Sequence, residues 1–231
     1  MKVYETILFD LDHTLWDTEA NSDLALTELY QVEHLNDFGI PSVAEFIPIY
    51  KQINNQFWVD YSAGKITKQT LRYKRFYLCL LHFGIKDYNL SYRLSDIYSE
   101  IAPRKTNLIP NALETLQYLA PKYNLAILTN GFSETQSVKV QSAGLEPYLK
   151  QIITAEEAGY KKPSIEIFEY ALRKLNTKST TTLMVGDNLQ ADILGAKAAN
   201  IDQVFFNPEK VVHNMRISFE VHSLLELKEI L

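Results

Sequence analysis

An apolar run, Ile7-Leu8-Phe9, leads directly into Asp10 and Asp12, two carboxylates one residue apart, with Thr14 following. Like charges that close cost free energy unless a cation or a reaction draws on them. The pair therefore points to a cation site, or to a nucleophile working beside an acid. In an unremarkable chain the same residues would form a turn or a helix N-cap, where Asp is favoured for its short acceptor side chain. What favours chemistry is recurrence: three more segments supply groups suited to the same site.

Leu125-Ala126-Ile127-Leu128 breaks into Thr129-Asn130-Gly131, a hydroxyl, an amide and a Gly. Ser133-Glu134-Thr135-Gln136 follows with the Ser-x-x-Gln spacing of a capping box, which predicts a helix N-terminus just past the strand. A hydroxyl, a Gly backbone and free helix N–H groups make an anion site. Lys161-Lys162 precedes Pro163, which restricts Lys162 to extended conformations and so directs a cation. Thr182-Leu183-Met184-Val185 ends in Gly186-Asp187-Asn188, and Asp192 follows on a segment, 189–196, that reads as a helix. Gly186 is expected to allow a sharp turn, with Asp187 projecting toward Asp10 and Asp192 pointing back from the helix's first turns. The alternative is that Asp187 caps that helix and Asp192 favours its positive end.

The elements that must position these groups are strand-like runs at 4–10, 124–129, 151–154, 181–186 and 203–206, alternating after residue 106 with helical patterns. That alternation predicts an α/β fold, a Rossmann-like doubly wound parallel sheet with right-handed crossovers. Ligands bind such sheets at the C-terminal ends of the strands, where every motif above falls. Residues 17–105 contain no comparable strand. Ala25, Leu29, Val32 and Leu35 recur at a helical period that ends near Phe38-Gly39, where Gly suits a C-cap, and helical patterns cover 43–60 and 67–83.

The chain has 231 residues, a net charge of −5 and a single cysteine. That length buries a core without staples. The acidic balance argues against a nucleic-acid polymer as partner, since surfaces that bind one are usually basic. One cysteine excludes intramolecular disulfides and a cysteine metal cluster and fits a reducing compartment. Cys79, beside Leu78, Leu80 and Leu81, reads as a small buried hydrophobe. No apolar run approaches the length of a bilayer and the N-terminus carries no signal pattern, so a cytoplasmic protein without membrane contact is expected. The oligomeric state is left open.

Taken together, Asp10-x-Asp12-x-Thr14, the strand ending in Thr129, Lys162, and Gly186-Asp187 with Asp192 resemble the four motifs of the haloacid dehalogenase superfamily, in order and across nearly the whole chain. The resemblance implies a catalytic core of residues 1–16 and 106–231, with 17–105 an α-helical cap inserted after the first strand. It implies Mg²⁺-dependent hydrolysis of a small phosphomonoester through an aspartyl phosphate on Asp10. Asp12 would serve as acid and then base, Asp10, Asp187 and the Asp12 backbone carbonyl as metal ligands, and Asp192 would act from behind them or through a water. Thr129, the Asn130 backbone and Lys162 would neutralise the phosphate oxygens. These roles match what phosphoryl transfer requires: a nucleophile, cations around the equatorial oxygens and a proton for the leaving oxygen. Relatives that displace halide need no such acid, so Asp12 favours a phosphatase. A phosphomutase like β-phosphoglucomutase uses the same groups and is the nearest rival. A non-enzymatic phosphoacceptor module resembles the site, but is about half the length and has no helical insertion.

Substrate choice is expected in the cap. Phe57-Trp58-Val59-Asp60-Tyr61 precedes Gly64, a candidate hinge, and Arg72 and Arg75 follow on one helix face. Trp58, Asp60, Tyr61 and Arg75 could stack on and hydrogen-bond a nucleobase. At helical spacing such aromatics more often form cap core, and Lys65, Lys68, Arg72 and Arg75 more often a solvated face. This stretch, Thr129-Asn130-Gly131-Phe132 and the terminal Ser223-Leu224-Leu225-Glu226-Leu227 resemble the 5′-nucleotidase subgroup that hydrolyses noncanonical pyrimidine nucleoside monophosphates. Asn188 departs from the Ser or Thr of many relatives. Sugar-phosphate and phosphoglycolate phosphatases remain alternatives.

Overall fold

The computed structural model describes residues 3–231. Six strands, β1 (Thr6–Phe9), β2 (Asn124–Thr129), β3 (Gln151–Thr154), β4 (Thr182–Gly186), β5 (Asp202–Phe206) and β6 (Phe219–Val221), form one parallel sheet in the order β3-β2-β1-β4-β5-β6. The doubly wound α/β expectation holds. Alternate residues of each central strand enter opposite cores: Ile7 and Phe9, Leu125 and Ile127, Leu183 and Val185 on one face, Leu8, Ala126, Leu128 and Met184 on the other. A strand buried on both faces has no polar side to show, which is why these strands read as unbroken apolar runs. Phe9 is level with both Ile127 and Val185, so Asp10, Thr129 and Asp187 emerge at the same edge. β6 is an addition to the five expected strands. Three residues long and interrupted by Glu220, it carries no apolar run to announce it.

By compactness the chain divides into two units, one formed by residues through Thr18 together with Thr106–Leu231, the other by Glu19–Lys105. The second is all helical: α1 (Thr18–Val32), α2 (Val43–Ser62), α3 (Lys68–His82) and α4 (Tyr88–Ile101). Ser42, Thr67 and Asp87 cap the last three by accepting the N–H groups of Glu45, Thr70 and Leu90 at 3.2, 3.1 and 2.9 Å. The apolar period of α1 differs from the expected one. Ala25, Leu26, Leu29 and Tyr30 are buried whereas Val32 is exposed. The helix stops at Val32, His34 turns left-handed (φ 48°), and a separate 3₁₀ turn, Leu35–Phe38, ends on Gly39 at φ 95°. Leu26, Leu29, Phe46, Tyr50, Phe76, Leu80 and Leu94 build this unit's core around Cys79, whose thiol burial pushes up to about 12. It is packing, as its apolar neighbours suggested.

In the first unit α5 (Ala112–Leu119) and α6 (Ser133–Ser142) follow the return of the chain and β2. α7 (Ala155–Ala158) and α8 (Ile165–Lys174) follow β3, and a π-helical turn, Leu189–Leu194, runs into α9 (Gly195–Ala198) after β4. In the terminal Ser223–Leu227 stretch a capping box on Ser223 and Glu226 opens a 3₁₀ turn, Leu224–Glu226, that runs into α10 (Leu227–Ile230), and Leu224 and Leu227 enter the core. Leu8 has no exposed surface and sits at the centre of the second sheet face. Leu8→Ala should lower the unfolding free energy by about 2–5 kcal/mol in a urea titration. A loss well below that range would mean the face is loosely packed.

Candidate active site

The edge where β1, β2 and β4 end is organised around Lys162. Its ammonium donates to Asp10 Oδ1 and Asp192 Oδ1, both at 2.6 Å, and to the Leu128 carbonyl at 2.7 Å, so all three protons are used. The side chain is 2% exposed. Its backbone is held by the Asn130 carboxamide, which accepts the Lys162 N–H at 2.8 Å and donates to the Lys162 carbonyl at 2.9 Å. Asn130 thus commits its side chain to Lys162, a role its position at a strand end did not reveal. The Lys162–Pro163 bond is cis. Thr129 is buried and accepts the Gly131 N–H at 3.0 Å, which leaves its own hydroxyl proton to give.

Asp187 is locked by Thr14, whose hydroxyl donates to Asp187 Oδ1 at 2.9 Å and accepts the Asp187 N–H at 3.2 Å. Asp10, Asp187 and Asp192 each present a carboxylate oxygen, all within 4.8 Å of one another. Asp192 arrives from the π-helical turn instead of a regular helix, with Oδ2 accepting the Asn188 N–H at 3.0 Å. The cap of that turn is Asn188, which accepts the N–H groups of Gln190 and Ala191, so Asp187 is free of capping duty. Gly186 is needed for space, not for a sharp turn. It stays in β4, and a Cβ there would lie 2.3 Å from Asp192 Oδ2.

Burial raises Asp10 well above the usual carboxylate range; Lys162 opposes this, while the charges of Asp192, Asp187 and Asp12 reinforce it. Burial, then the charge of Asp192, pushes Asp187 up to about 6. Burial would depress Lys162, yet Asp10 and Asp192 hold it above its ordinary value. Three carboxylates on one ammonium leave the cluster short of positive charge. Its donors are all oxygens, a set that suits a hard divalent cation such as Mg²⁺. Removing Lys162 would leave buried carboxylates unpaired, at a cost of about 3–5 kcal/mol.

Asp12 faces different partners. Its Oδ1 receives Lys139 Nζ and, at 3.1 Å, the Thr18 hydroxyl; its Oδ2 receives Gln136 Nε2 at 3.1 Å. Burial works to raise Asp12, but the charge and hydrogen bond of Lys139, with His13 and Gln136, hold it below the usual range. Gln136 and Lys139 were not foreseen. The Ser-x-x-Gln spacing suggested a capping box, and the helix does start there, but Ser133 is already inside α6 and Phe132 precedes it without a side-chain cap. Gln136 spends its amide on Asp12 instead. Gly131 makes room for it, since a Cβ there would lie 2.2 Å from Gln136 Nε2.

In the helical unit, Trp58 and Tyr61 meet edge to face on α2 with ring centroids 5.7 Å apart, and Asp60 pairs with Lys65 at 3.5 Å. Gly64 lies just past the end of α2 at φ 72°. Arg75 is buried on α3, not part of a solvated face. Its Nη1 donates to Asn54 at 2.6 Å and its guanidinium lies 5.3–5.6 Å from the ring centroids of Tyr50, Phe76 and Tyr98.

The raised Asp187 has a consequence for stability. A carboxyl with a folded value near 6, against 3.8 in the open chain, favours the fold below about pH 4 and loses that contribution as pH rises through 6. Metal-free protein should therefore melt at lower temperature at pH 7 than at pH 5. Added Mg²⁺ should raise the melting temperature more at pH 7, and an equal rise at both would show the cluster does not take the ion.

Residues 7–206 match the family of haloacid dehalogenase-like hydrolases. The chain is 32% identical over 232 residues to the pyrimidine 5′-nucleotidase PynA of Streptococcus pneumoniae, covering 99% of this chain and 95% of that protein. It is 30% identical over 235 residues to the pyrimidine 5′-nucleotidase YjjG of Escherichia coli, covering 99% and 98%. The magnesium-bound crystal structure of the HAD-hydrolase YfnB from Bacillus subtilis superposes with a TM-score of 0.88 at 32% identity, covering 99% of each chain. Among the described residues no helix is long and apolar enough to cross a membrane. With its motifs gathered at one sheet edge and its similarity running end to end, the chain belongs to the haloacid dehalogenase-like hydrolases.

Proposed function

We propose that the protein is a Mg²⁺-dependent phosphomonoester hydrolase acting on nucleoside 5′-monophosphates through an aspartyl phosphate on Asp10. The observation that carries this is the juxtaposition of Asp10, Asp187 and Asp192 oxygens within 4.8 Å, with the Lys162 ammonium bonded to Asp10. Similarity to two pyrimidine 5′-nucleotidases over nearly the whole chain supports the substrate class.

In the first step a carboxylate oxygen of Asp10 bonds to phosphorus as the bond to the nucleoside oxygen breaks, and Asp12, in the fraction of enzyme that carries it protonated, delivers the proton to that oxygen. In the second, water attacks phosphorus, its proton passes to Asp12, and the acyl phosphate bond breaks to release orthophosphate and the Asp10 carboxylate. Lys162 fixes Asp10, and the Thr129 hydroxyl donates to a phosphoryl oxygen. Asp10, Asp187 and the Asp12 backbone carbonyl would hold Mg²⁺, which when bound would supply positive charge to offset the negative charge of the phosphoryl oxygens. Halide displacement would leave Asp12 without a task. A sugar-phosphate phosphatase is the second reading, since the core site serves any phosphomonoester.

Phosphate release should be measured on a panel of nucleoside monophosphates, hexose phosphates and phosphoglycolate with Mg²⁺. Deoxyuridine and thymidine monophosphates are expected to be preferred; a preference for hexose phosphates would replace the substrate class. EDTA should abolish turnover and Mg²⁺ restore it. Asp10→Asn should cost on the order of a thousandfold or more in kcat with the fold retained, and an active mutant would refute the nucleophile.

A further inference from the structure

We infer that Lys139, with Gln136, is the positioning device for Asp12: α6 sets the orientation in which that carboxylate meets the leaving oxygen. The inference rests on the acid role assigned to Asp12 above. Asp12 follows β1 in a tight turn, bridged to Trp16, and its side chain is 27% exposed, so its own backbone does little to choose its rotamer. The choice is made from outside. Lys139 Nζ and the Thr18 hydroxyl meet Oδ1 while Gln136 Nε2 meets Oδ2, which defines the carboxylate plane as well as its position.

Both α6 residues are themselves constrained. Lys139 is 12% exposed and its ammonium lies 4.1 Å from the centroid of the Trp16 ring, which ties it back to the same turn. Gln136 is 1% exposed and passes through space that exists because residue 131 is Gly. An arrangement made for stability alone would not need this. The Gln136 carbonyl Oε1 is buried with no partner, a defect that a packing role would not keep. A group that must meet a leaving oxygen does need it, because productive geometry tolerates roughly half an ångström of error. Gln136 and Lys139 are three apart on one helix face, and that helix starts directly behind Thr129. The strand end that meets the phosphoryl group therefore also aims the acid.

The test is leaving-group selectivity. kcat/KM, which reports the steps through departure of the alcohol, is compared between glycerol phosphate, whose alkoxide needs a proton, and p-nitrophenyl phosphate, whose phenolate does not. Asp12→Asn is the control: a loss blind to the leaving group would remove the acid role itself. Given a selective loss there, Lys139→Met should lower the ratio of glycerol phosphate to nitrophenyl phosphate kcat/KM by about tenfold or more. Lys139→Arg should recover most of it, and Lys139→Met should change nothing further in the Asp12→Asn background. Equal losses on the two esters, or an unchanged ratio, would overturn the inference while leaving the acid role standing. Should Lys139→Met fail to fold, Gln136→Met makes the same comparison. A smaller selective loss supports the device and an unselective one ends it.

Discussion

The Lys162 ammonium sits between Asp10 and Asp192 in a site that water scarcely reaches, and much of the surrounding structure serves to keep it there. A buried charge is tolerated when it is paired and hydrogen-bonded, and costs several kcal/mol when it is not. Asn130 therefore grips the Lys162 backbone from both sides. Gly186 gives up its Cβ so that Asp192 can approach. Gly195 does the same where a Cβ would lie 2.9 Å from the Cα of Pro163 and 2.5 Å from Phe168 Cε2, which lets the segment bearing Asp192 pack against the one bearing Lys162. Pairing with Lys162 is incomplete by design of the charge balance, and the remaining negative potential at Asp10 and Asp187 is what a divalent cation would relieve.

Asp10 and Asp12 show how two carboxylates two residues apart acquire opposite characters. The first is enclosed by the strand ends and crowded by Asp187 and Asp192, so its charged form is disfavoured. The second leaves the sheet edge, finds Lys139, Thr18 and Gln136, and its charged form is favoured. The difference is made by α6 and the Lys162 segment, neither of which is near residue 10 in sequence.

Much of the fold was legible because its cause is local. β1, β2 and β4 are buried on both faces and so carry unbroken apolar runs, Ile7–Phe9, Leu125–Leu128 and Leu183–Val185, and Thr14, Lys162 and Asp187 declared themselves by standing just past such runs or beside a proline. β6 went unseen because a three-residue edge strand needs no such run. α1 was drawn too long because the period through Leu35 continues across a break that only the left-handed His34 reveals. Arg75 looked like part of a solvated face because its charge says exposed, whereas the rings of Tyr50, Phe76 and Tyr98 bury it. The Ser133-x-x-Gln136 spacing suggested a cap because that pattern is usually satisfied within its own turn. Here the helix is entered one residue earlier, at Phe132, so Ser133 lies inside it and Gln136 is free to give its Nε2–H to an acceptor distant in sequence.

By itself the amino-acid sequence determined the parallel α/β class and a helical segment between the first two strands, since both follow from residue type and short-range periodicity, while the groups for a phosphate and a cation were picked out by the resemblance of four motifs to a known family. Only the tertiary structure decided which of those groups touch. It placed Asp192 against Lys162, gave the Asn130 side chain to the Lys162 backbone, and turned Gln136 and Lys139 onto Asp12. Contacts between residues more than a hundred positions apart, such as Lys139 and Asp12, leave no periodic trace in either segment, because register between distant strands and helices is set by the packing of the whole sheet.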